Sequence, residues 1–91
     1  MSAREPEQVQ QQLIDYLSRH ADVREKVDAT TDLIERGLLD SLLVTDLVMF
    51  ARKQFGVELT ARDISPEKLG SVQRIAALIC EKEAARRDRA A

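Results

Sequence analysis

Apolar residues recur every three or four positions in three separate stretches of this chain, and that spacing constrains the fold most. Val9, Leu13, Tyr16, Leu17 and His20 share one helical face. Leu43, Val44, Leu47, Val48, Phe50, Ala51 and Phe55 share a second, and Val72, Ile75, Ala76 and Ile79 a third. The only strand-like patch is the short "VEL" run at 57–59. Punctuation agrees with helices. Pro6 suits a first helical position, where its missing N–H leaves nothing unpaired, and Glu7 complements the helix dipole. Gly56 is a C-terminal stop, and Ser71 can cap the last helix. Two further starts, Thr60 with Asp63 and Ser65 with Pro66, leave room for one short helix between them and Ser71.

These signals predict an all-α domain, a four-helix bundle with three longer helices and a short third one. A long loop, residues 21–40, joins helices 1 and 2 and is expected to be pinned to the core by Val23, Val27, Leu33, Ile34, Leu38 and Leu39. The domain is expected to span residues 6–85, between a loose tail at 1–5 and a fraying, mixed-charge tail at 86–91.

Ninety-one residues can bury a core but not an enclosed, multi-part active site. A net charge of -2 and three aromatics, none in a basic cluster, argue against nucleic acid as a partner. Cys80 is the only cysteine, so neither an internal disulfide nor a thiolate metal site can form, and a small buried side chain is the expected role. His20, the only histidine, is expected to be a surface residue near a helix C-terminus rather than a metal ligand. With no signal-peptide pattern and no run long enough to span a membrane, the expected setting is cytoplasmic and the expected state a monomer.

The second helix carries more apolar side chains than one buried face can use. Advancing about 100° per residue puts Ser41, Leu42, Thr45, Asp46, Met49, Arg52 and Lys53 on the arc opposite the core. Leu42 and Met49 therefore stack on the outer face beside Ser41, as an adaptable protein-contact surface would. Asp40 is an apt N-cap, which places Ser41 at the first helical position with its hydroxyl outward. No histidine or lysine stands near it in sequence, so Ser41 is not a catalytic nucleophile, and the chain is not read as an enzyme. A phosphate ester on Ser41 would be favoured by the helix dipole and the free N–H groups of the first turn.

"GLLDSL" resembles the Asp-Ser-Leu phosphopantetheine attachment motif of acyl and peptidyl carrier proteins. "DLIERGLLDSLLVTDLVMFARKQFGVEL" is similar to that family's loop and second helix, and "ISPEKLGSVQRIAALI" to its third and fourth helices. The resemblance spans residues 9–80. It implies a four-helix carrier with no catalysis of its own, whose 4'-phosphopantetheine is attached covalently to Ser41 by a phosphopantetheinyl transferase. An acyl or aminoacyl group would ride on the arm as a thioester. By the same resemblance Asp40 flanks the cofactor, and Leu42, Thr45, Asp46 and Met49 form the partner-docking face.

Within the family, "ERGLLDSL" and "ISPEKLGSVQRIAALI" look most like free-standing carriers paired with adenylate-forming ligases. The implied partners are such a ligase or an acyltransferase, then downstream synthase or condensing enzymes of polyketide, nonribosomal-peptide or related natural-product biosynthesis. One departure stands out. Residues 28–46 hold five acids against one base, whereas the second helix ends in Arg52 and Lys53. The acidic surface is shifted toward the loop, away from the pattern of primary fatty-acid-synthesis carriers. The competing reading is a non-covalent helical interaction module that uses the Leu42/Met49 face without a prosthetic group.

Overall fold

A computed structural model describes residues 5–20 and 26–90, with side chains given as far as residue 85. Val23 and residues 1–4 of the expected N-terminal tail lie outside the described residues. Among the described residues there are four α-helices, α1 (Pro6–Arg19), α2 (Ser41–Phe55), α3 (Pro66–Leu69) and α4 (Val72–Ala90), and one 3-10 turn, Ala61–Asp63, before α3. No strand occurs among the described residues.

The starts and stops follow from local chemistry. Pro6 opens α1, where Glu5 N–H donates to the Gln8 Oε1 at 3.2 Å. Gly56 ends α2 in the left-handed region (φ 66°), which a residue without a Cβ adopts without strain, and its N–H donates to the carbonyls of Ala51 and Arg52. The Ser71 Oγ accepts the Arg74 N–H at 3.2 Å at the start of α4. Gly70 makes the tight α3–α4 turn possible, because a Cβ there would lie 2.5 Å from the Pro66 carbonyl oxygen.

α4 touches each of the other helices, most extensively α1, and is the spine of the bundle. Val9, Leu13 and Leu17 of α1, Leu43, Leu47, Ala51 and Phe55 of α2, and Val72, Ile75, Ala76, Leu78 and Ile79 of α4 form the core, closed by Leu69, Val57 and Leu59. Each large aliphatic side chain among them contributes about 1.5–3 kcal/mol of hydrophobic stabilisation. Val44, Val48 and Phe50 are half-buried at its edge.

The described part of the long loop, residues 26–40, is locally ordered. The Asp28 carboxylate accepts from Thr30 and Thr31, and the Asp32 carboxylate from the N–H groups of Ile34 and Glu35. Two backbone bonds fasten the loop to the α3–α4 corner: Leu33 N–H to the Gly70 carbonyl (2.8 Å) and Gln73 N–H to the Ala29 carbonyl (2.9 Å). Val27 and Leu33 are buried, and Leu38 and Leu39 pack partly against the core. Ile34 departs from expectation. The Asp32-capped turn sends Leu33 inward, and the next side chain is left 42% exposed.

Two other expectations need correction. His20 is not a surface residue: its side chain is only 9% exposed, with Nε2 2.7 Å from the Asp46 Oδ2. Cys80 is half-buried rather than buried, its thiol pushed up in pKa by burial and then by the nearby carboxylates of Glu83 and Glu5.

Candidate functional site

The start of α2 is built from two adjacent side chains with separate jobs. Asp40, in extended backbone, turns its carboxylate onto the first turn, where Oδ1 accepts the Leu43 N–H at 2.8 Å. Its carbonyl accepts the Val44 N–H at 2.9 Å. Ser41 is exposed, and its hydroxyl makes no hydrogen bond with any described residue. The N–H groups of Ser41 and Leu42 are likewise uncommitted at the positive end of a 15-residue helix. That arrangement fits an attached phosphodiester: a free hydroxyl, two free donors, and a cap that holds the backbone without using them.

The outer arc follows the helical wheel in exposure. Leu42 is 54% and Met49 64% exposed, with Thr45, Arg52 and Lys53 also at the surface. The Thr45 hydroxyl donates back to the Ser41 carbonyl at 2.8 Å, steadying the first turn. Asp46 is half-buried, its carboxylate engaged by His20. The chain's one imidazole is thus held by Asp46, midway along α2, and does not serve Ser41 as a base.

Three features were not singled out from sequence. The Tyr16 and Phe50 rings stack at 4.2 Å between centroids, and Phe55 meets Phe50 edge-on at 5.7 Å. Burial, then the Asp46 charge, pushes the Tyr16 hydroxyl up in pKa. Asp63 is a buried carboxylate. Burial alone would raise its pKa, but the Lys82 ammonium at 2.8 Å and the N–H and hydroxyl of Thr60 more than offset this and hold it at about 2. The Thr60-x-x-Asp63 spacing signalled the local half of this arrangement, and nothing local signalled Lys82. Among the described residues no cluster of potential ligands could hold a metal ion, and no helix is long and apolar enough to cross a membrane.

The fold is thus a helical bundle with an exposed serine at the head of its second helix. Residues 8–79 match the family described as the phosphopantetheine attachment site, and the chain belongs to that family. Its members are carrier domains, not catalysts, and bear 4'-phosphopantetheine covalently on a serine. A solved chain described as "Crystal structure of FAD-dependent dehydrogenase" is 37% identical, with a TM-score of 0.60 over 74% of this chain and 90% of that one. No curated protein shows a significant match.

Proposed function

We propose that Ser41 is the attachment serine and that residues 6–85 act as a free-standing carrier of acyl or aminoacyl thioesters. The observation that carries this reading is the exposed, uncommitted Ser41 hydroxyl at the head of α2, inside the stretch that matches the family. A phosphopantetheinyl transferase would join the Ser41 oxygen to the β-phosphorus of coenzyme A. The bond to adenosine 3',5'-bisphosphate breaks, and the serine proton passes to a base on the transferase. The group supplies a flexible arm ending in a thiol. Asp40 positions the serine by fixing the first turn, and the N–H groups of Ser41 and Leu42 stabilise the phosphate. Leu42, Thr45, Asp46 and Met49 are the proposed partner-facing residues.

The resemblance of "ERGLLDSL" and "ISPEKLGSVQRIAALI" to free-standing carriers supports loading by an adenylate-forming ligase or an acyltransferase in a specialised-metabolite pathway. Likeness to a chain described with an FAD-dependent dehydrogenase supports a flavin enzyme among the later partners. The described helices contain no βαβ unit to hold a dinucleotide, so the flavin would not be held by these residues. A thioester acidifies the adjacent C–H. On such a partner, a base of the partner would take that proton and the flavin would supply the acceptor for hydride from the β-carbon. Anaerobic bleaching of that dehydrogenase by acyl-loaded carrier, with loss of H2 from the carrier's intact mass, tests this extension.

The attachment itself is tested by intact mass after incubation with coenzyme A, magnesium and a broad-specificity transferase. The wild type gains one phosphopantetheine and Ser41→Ala gains none. A gain on the alanine variant, or none on the wild type, overturns the reading and leaves the non-covalent interaction module.

A further inference from the structure

α1 and α2 are bridged by long side chains. The Tyr16–Phe50 stack and the His20–Asp46 contact cross between them, leaving an open groove of about 740 Å³. Tyr16, Asp46, Met49, Phe50, Arg52 and Lys53 line it. Its floor is aromatic and braced from behind by Phe55, and Met49 forms an exposed, adaptable lip. Its lining carries two cations and one carboxylate. His20 engages the Asp46 carboxylate, whereas Arg52 and Lys53 are exposed and make no ion pair with any described residue. The loop before α2 has the opposite character, with Asp28, Asp32, Glu35 and Asp40 all exposed.

We propose that this groove docks an acidic segment of a partner protein, an apolar side chain seated against Tyr16, Met49 and Phe50 with flanking carboxylates on Arg52 and Lys53. At about 1.5 Å of rise per residue, Met49 lies about 12 Å along α2 from Ser41, so a partner held here leaves the serine accessible. The carrier's docking surface is then two-signed: acidic around the helix start, basic at its far end. A partner must match both, and one that is uniformly basic is repelled at Arg52 and Lys53. The α2 macrodipole also favours cations in the last turn, a contribution to stability that a melt reads separately from binding.

The test uses isotope-labelled protein with Ser41 unmodified, so it stands or falls apart from the attachment reading. Two synthetic helical peptides share one Leu/Phe face and differ only in flanking residues, Glu in one and Lys in the other. The Glu peptide is expected to shift the amide signals of residues 46–53 saturably, and the Lys peptide is not. Arg52→Gln with Lys53→Gln, confirmed folded by its melt, should weaken the Glu peptide about tenfold, the combined effect of two exposed charge pairs. Met49→Ala, with both charges kept, should also weaken it. Equal binding of the Lys peptide, or no binding of either, overturns the proposal. So does self-association of the free protein that shifts the same signals, which would assign the groove to a second copy of the chain.

Discussion

The imidazole of His20 and the carboxylate of Asp46 meet at 2.7 Å, joining the residue after α1 to the middle of α2 across 26 positions of sequence. With the Tyr16–Phe50 stack, this contact links the two helices. A double-mutant cycle of His20→Ala and Asp46→Ala should show a coupling of about 0.5–1.5 kcal/mol in denaturant melts. Additive single effects would reduce the contact to a by-product of packing.

Asp40→Ala should lower stability by about 0.5–2 kcal/mol, because the Leu43 N–H loses its acceptor. Asp40→Asn keeps an acceptor and should retain most of that stability. Urea midpoints for the two variants decide it.

Leu47 and Met49 sit two residues apart on opposite sides of α2, at 2% and 64% exposure. Leu47→Ala should cost about 2–5 kcal/mol. Met49→Ala should stay within about 0.5 kcal/mol of wild type in the same thermal melts. A defect in partner processing with an unchanged melt would mark Met49 as a contact residue.

Asp63 sets an acid limit. Its folded pKa, about 2, lies below the ordinary 3.8, so the fold favours the ionised form. The resulting stabilisation, about 2 kcal/mol, is complete above roughly pH 4 and disappears as the pH falls through about 2. Asp63→Asn should lose it at neutral pH and flatten the acid limb when denaturant midpoints are plotted against pH.

The helical faces were legible because an amphipathic repeat is written locally. Leu13, Leu43 and Ile75 declare themselves by their neighbours three and four positions away, and all three are buried. The caps at Asp40, Ser71 and Gly56 were legible for the same reason. What sequence hid were pairings between distant segments. His20 finds Asp46, and Lys82 reaches back from α4 to Asp63, so a histidine that read as a surface residue and a carboxylate that read as part of a helix start are both largely shielded from solvent. Ile34 failed in the opposite direction, since one loop turn decided which of two adjacent apolar residues faced inward. The serine itself was conspicuous only in company. Its chemistry is ordinary, its local setting reads equally as a plain helix start, and the Asp-Ser-Leu resemblance extended over residues 9–80 was the signal.

The division of labour between Asp40 and Ser41 has a consequence for how this domain tolerates change. The cap is supplied one residue earlier, and the Ser41 hydroxyl bonds no other described residue, so folding is expected to tolerate other small side chains at position 41. A cysteine, threonine or alanine there would leave the scaffold standing. The bonds described within the fold do not require a serine at that point, and a designer could exchange the handle for another without rebuilding the frame that holds it.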